Sequence, residues 1–117
     1  MRAETDNYIA TESILWCHSD GTDVRIEAKV GLPYLVDEGM ETWACPVCLE
    51  GVDGRYPDVM GQGSLQALSL AIRLVAKRLG DLLEDNAKLY YPGEQADRVP
   101  WDWSSHGALF GTIKLRQ

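Results

Sequence analysis

The most regular hydrophobic pattern in the chain lies at residues 24–30, where Val24, Ile26, Ala28 and Val30 alternate with Arg25, Glu27 and Lys29. A period of two gives a strand one apolar and one solvated face, as in an antiparallel sheet with one wet side. Residues 8–17, YIATESILWC, are β-compatible but less regular, because Ile14, Leu15 and Trp16 run together. That run predicts a strand apolar on both faces near its end. Between the two, Asp20-Gly21 marks a hairpin, since both residues tolerate positive φ. Gly31-Leu32-Pro33 ends the second strand, and residues 34–41, YLVDEGME, read as a loop with an acidic tip. A third strand is predicted over residues 41–50. It has Trp43, Cys45, Val47 and Leu49 on one face and Ala44, Pro46 and Cys48 on the other. Pro46 removes one ladder donor, which predicts a sheet edge or a bulge at this strand.

Residues 51–63, GVDGRYPDVMGQG, form a connection that is long for a segment without structure of its own. The period then changes. Leu65, Leu68, Ile72, Val75, Leu79 and Leu82 recur every three or four residues, with Ala67, Ala71 and Leu74 widening the stripe. Gln66, Ser69, Arg73, Lys77, Asp81 and Glu84 fall opposite. This predicts an amphipathic helix laid on a sheet, opened by Ser64 as N-cap and running to about Asp85, with Asn86 as its stop. Gly80 costs it about 1 kcal/mol relative to alanine. Residues 88–91 and 108–115 read as two further short strands, the last with Leu109, Ile113 and Leu115 aligned. The expected architecture is α+β: one domain over residues 1–117, with an antiparallel sheet of four to five strands. One long amphipathic helix packs on one face, in the order β-β-β-α-β-β.

Charge sharpens the picture. The net charge is −7, and residues 1–62 hold twelve of the eighteen acids against four of the eleven bases. Such a surface repels phosphate backbones and anionic lipid and attracts basic proteins, so neither nucleic acid nor membrane is an expected partner. The N-terminus is polar and lacks the apolar core of a signal peptide, which makes a cytoplasmic location and reduced thiols the expectation.

Chemical motifs are sparse. Cys45-Pro46-Val47-Cys48 has the spacing of half a zinc knuckle or a redox pair. A structural zinc site needs a second pair, and the only other thiol, Cys17, has His18 beside it. Residues three apart in a strand lie about 10 Å apart on opposite faces. An extended segment therefore leaves these cysteines as small core fillers. Cys17-His18 is a poor thiol–imidazole pair because the base must meet its nucleophile through space. No catalytic signature surrounds Ser64, Ser104, Ser105, or His106 with Asp102, and Gly61-Gln62-Gly63 lacks the spacing and lysine of a phosphate loop. No catalytic residue, metal ligand or cofactor is expected. Trp101 and Trp103 are candidates either for covering the sheet or for contacting a partner.

Trp43-x-Cys45, the glycine-rich connection, and Gly63-Ser64-Leu65-Gln66-Ala67-Leu68 with Ala71 resemble a widespread group of small bacterial proteins of unknown function. In that group a Trp-bearing strand is followed by a helix opening with a Leu-Gln-Ala-Leu run. The resemblance covers about residues 8–91 and implies no catalytic residues. The group's small, acidic, cytosolic character is similar to that of immunity proteins, which neutralise toxins exchanged between competing bacteria. The expected function is therefore a non-enzymatic binding protein occluding a basic surface of a cognate protein toxin. Its candidate partner-binding residues are Asp37, Glu38, Glu41, Glu50, Asp53, Asp58, Trp101 and Trp103. A zinc-binding or redox protein built on Cys45 and Cys48 is the alternative, and a homodimer joined through an edge strand, such as the third, is another option.

Overall fold

The structure, a computed structural model, describes residues 7–83 and 88–92. In chain order these residues form β1 (Tyr8–Cys17), β2 (Asp23–Gly31), β3 (Tyr34–Asp37), β4 (Thr42–Cys45), β5 (Val47–Glu50), β6 (Gly54–Arg55), β7 (Val59–Gln62), α1 (Ser64–Leu82) and β8 (Lys88–Tyr90). Two antiparallel sheets result. One has five strands in the order β6-β5-β2-β1-β8, the other three in the order β3-β4-β7. With one helix packed against them, the fold is α+β, as the pattern of periods predicts.

The β1–β2 hairpin follows directly from its sequence. Gly21 adopts a φ of 93°, open to glycine and costly for other residues, and the Asp20 carboxylate accepts the Thr22 N–H at 2.9 Å. The register sets Ile14 opposite Ile26 and Trp16 opposite Val24, so the apolar positions of both strands share one face.

The third predicted strand is in fact two. Pro46 interrupts it, and the chain passes there from one sheet to the other. β4 lies between β3 and β7, whereas β5 lies between β6 and β2. Neither occupies an edge, which corrects the edge reading of this segment and removes it as an edge for joining two copies. The break satisfies backbone polarity: Pro46 has no N–H to leave unpaired, and its carbonyl accepts the Gly31 N–H at 2.8 Å. Serving both sheets keeps residues 44–49 buried without interruption.

Two segments read as loops are strands. Tyr34–Asp37 pairs with β4, Tyr34 opposite Ala44 and Leu35 opposite Trp43. The connection over residues 51–63 contains β6 and β7, and β7 completes the three-stranded sheet.

The helix also departs from expectation. Its N-cap is Gly63 rather than Ser64, which is the first helical residue, and no side chain caps the terminus. Its buried face is Ala67, Ala71, Val75, Ala76, Leu79 and Leu82. Leu65 is 78% exposed, and Leu68 and Ile72 are only half-buried. The stripe is rotated because small side chains bring the helix close to β7. A Cβ placed on Gly61 would lie 2.7 Å from the Ala67 nitrogen, an approach only glycine permits. Ile14, Ile26, Ala28, Cys45, Val47 and Leu49 meet this alanine-rich face in the core. The helix ends at Leu82 with Leu83 as its C-cap, short of the predicted Asp85, and the Leu83 N–H turns back to the Gly80 and Asp81 carbonyls. The predicted stop at Asn86 and strand at residues 108–115 lie outside the described residues. Among the described residues no helix is long and apolar enough to cross a membrane.

Candidate functional site

Cys45 and Cys48 carry the metal-like spacing of the sequence. Both halves of residues 42–50 are extended. Cys45 lies in the core under the helix, and its Sγ donates to the Gly31 carbonyl at 3.4 Å. Burial pushes its thiol up to about 11. Cys48 alternates with the core residues Val47 and Leu49, so it projects from the other face of the five-stranded sheet, opposite Lys29 in the neighbouring strand. Among the described residues no three His, Cys, Asp or Glu side chains gather in a metal-binding arrangement. The His18 ring rests on Trp16, with centroids 4.1 Å apart.

The six candidate acids separate into two groups. Three meet bases inside the molecule. Glu50 accepts from the Lys29 ammonium at 2.8 Å across β5 and β2. Asp53 takes the Arg78 guanidinium at 2.7 Å, and Arg78 also reaches Asp81 at 3.0 Å, which ties the β5–β6 turn to the helix. The Arg78 guanidinium, followed by the Tyr56 hydroxyl that donates to the same carboxylate, holds Asp53 below the usual carboxylate range. Burial, then the Asp53 carboxylate, pushes the Tyr56 hydroxyl far up. Asp58 is the buried member of the set. It forms an ion pair with Arg55 at 2.7 Å, and Tyr34 Oη donates to its other oxygen at 2.5 Å. Burial and this carboxylate together push the Tyr34 hydroxyl up to about 12. Arg55 also donates to the Tyr56 carbonyl at 2.6 Å. Asp58 thus fastens β3 to the segment between β6 and β7, with its side chain shut away from solvent. These contacts remove it from the partner-binding set.

The other three carboxylates, Asp37, Glu38 and Glu41, lie in five consecutive exposed residues at the β3–β4 turn. None of them makes an ion pair among the described residues. Asp37 shapes the tip by accepting the Gly39 N–H at 3.0 Å and the Met40 N–H at 3.3 Å. Glu41 holds a φ of 52°, uncommon for a residue with a side chain. Between the acids, Met40 is 65% exposed. The Glu41 carbonyl accepts the Gly63 N–H at 3.1 Å, so the acidic tip abuts the start of α1.

An apolar groove begins at that junction. Trp43, Leu32, Pro33, Leu65, Ile9 and Leu68 line its shallow end. It continues, still bordered by Ile9 and Leu68, into a cavity of about 220 Å³ between α1 and the first two strands, with Ile72, Val75, Ala28 and Val30 in its wall. The rotated helix creates this groove by directing its alanines at the sheet and leaving Leu65, Leu68 and Ile72 on the flank. Hydrophobic periodicity identifies the helix but not which side of a broad apolar stripe will be buried, so the groove residues escape a sequence reading. The i, i+3 spacing of Arg55 and Asp58 is a local sign of their pairing, whereas Lys29–Glu50 and Arg78–Asp53 join residues distant in sequence. Trp101 and Trp103 lie outside the described residues.

Comparison with curated proteins finds no match, and neither does comparison with solved structures. A family described as a domain of unknown function (DUF6968) matches residues 12–100, a span that takes in β2 through β8 with the acidic turn, most of β1 and the whole helix. The chain belongs to this DUF6968 family.

Proposed function

We propose that the protein is a non-enzymatic binding protein that occludes a basic surface of a protein partner, in the manner of an immunity protein neutralising a toxin. The observation that carries this reading is the contrast among its acids. Internal cations satisfy Glu50, Asp53 and Asp58, while the β3–β4 turn presents Asp37, Glu38 and Glu41 to solvent without a countercharge among the described residues. Carboxylates held on a short hairpin and left unmatched attract a basic surface and speed its association. Glu38 and Glu41 are the contact residues of choice, because Asp37 is also engaged in holding the turn. Met40 adds an exposed apolar side chain at the centre of the acidic tip. The arrangement of Cys45 and Cys48 adds nothing to the zinc or redox alternative.

Co-expression with the product of the neighbouring reading frame tests the proposal. The expected result is a basic protein that is toxic alone, harmless alongside this chain, and bound to it as purified protein. A neighbour neither toxic nor bound would sink the reading.

A further inference from the structure

We infer that the apolar groove on the flank of α1 receives a segment of the basic partner carrying bulky apolar side chains next to its cationic residues. This inference rests on the function proposed above and specifies the chemistry of the bound segment. Three observations support it. First, the exposed side chains are large and contiguous: Leu65 is 78%, Ile9 56% and Leu32 49% exposed, and all three line the same shallow end as Trp43 and Leu68. Apolar patches of this kind on a small protein mark interaction sites. Second, the groove is elongated: its enclosed part holds about 220 Å³ and its shallow end about 430 Å³, both along the flank of α1 that carries Leu65, Leu68 and Ile72. That shape suits successive side chains of an extended segment. Third, the groove starts where the Glu41 carbonyl holds Gly63, so an occupant of the groove lies beside the carboxylates of the tip.

Charge selects the occupant. A second copy would bring one −7 chain onto another, whereas an apolar segment flanked by lysine or arginine gains from both surfaces at once. From Leu65 to Ile72 the helix rises about 10 Å, the length of roughly three extended residues. The segment that fits is therefore short: two apolar side chains at alternate positions, with cations at the end nearer Glu41.

The test uses the full chain and two fluorescein-labelled peptides of about ten residues. Both carry leucine at alternate positions; one ends in Lys-Lys-Arg, the other in Glu-Glu-Asp. The expected result is that the basic peptide binds at least tenfold more tightly than the acidic one. Leu65→Asp, at a highly exposed position, should weaken that binding at least tenfold with the melting temperature unchanged, while Glu38→Gln/Glu41→Gln should erase only the preference for the basic end. Equal binding of the two peptides, or binding indifferent to Leu65→Asp, overturns the inference. So does a concentration-dependent dimer that Leu65→Asp dissolves, which would make a second copy the occupant. If the neighbour-encoded partner binds through Glu38 and Glu41 but ignores Leu65→Asp, the groove inference fails while the proposed function stands.

Discussion

Asp58 and Glu38 belong to the same acidic half of the chain, yet their surroundings give them opposite roles. Asp58 is buried between the Arg55 guanidinium and the Tyr34 hydroxyl, and its charge is consumed in joining strand β3 to the chain between β6 and β7. Glu38 stands on an exposed turn with no cation beside it among the described residues. Between these extremes are Glu50 and Asp53, exposed or half-exposed and each matched by one base. Counting acids along a sequence measures a protein's charge. Locating their cations shows which charges remain to act on a partner.

This contrast makes the carboxylates separable by mutation, and the buried one gives the largest effect. Asp58→Asn keeps the shape but removes the buried charge that the Arg55 guanidinium and the Tyr34 hydroxyl meet. It should lower the unfolding free energy by about 3 kcal/mol, seen as a lower denaturant midpoint. Next comes Arg78→Ala, which takes the guanidinium away from both Asp53 and Asp81 and leaves Asp81 only its longer contact with Lys77 at 3.9 Å. The pairs are about one-third exposed, so water and salt screen them and the loss should be only about 1 kcal/mol. Its pH dependence is diagnostic. Asp53 has a lowered pKa in the folded protein, so its contribution is fully present above the unfolded value of about 4 and is lost as pH falls through the folded value. The stability gap between wild type and Arg78→Ala should therefore be full at neutral pH and narrow in acid, as followed by urea unfolding at several pH values. The smallest stability effect belongs to the tip: Glu38→Gln with Glu41→Gln should change stability by less than about 0.5 kcal/mol. Glutamine preserves the side-chain length at the positive φ of Glu41. Any change in partner binding then reports charge alone.

The parts of the fold that follow local rules were legible in the sequence. Strict alternation located β2, Asp20-Gly21 located the hairpin, and the change of period located α1. Elements defined by their neighbours were not. The segment YLVD reads as an acidic loop and becomes a strand only because β4 lies beside it. Val59–Gln62 has no alternation to advertise it, and Gly61 is tolerated in the strand because the helix approaches so closely there. At Pro46 the sequence shows a missing donor, but it does not reveal that the chain passes between two sheets. The helix's apolar stripe was visible, yet its buried side was decided by how near alanine lets α1 come to β7. The candidate site shares this limit. The acidic tip could be read directly, whereas the pairing of Asp53 and Glu50 depends on bases more than twenty positions away.

The central claim is that unmatched charge at the β3–β4 turn, and not the acidity of the chain as a whole, engages the partner. Association rates measured by stopped flow at low salt against the neighbour-encoded protein test it most directly, comparing Glu38→Gln/Glu41→Gln with Glu50→Gln/Asp53→Asn, two double variants that remove the same formal charge. A slowing of about tenfold is expected for the first pair and almost none for the second. Equal slowing by both, or a larger effect from the second, would contradict it.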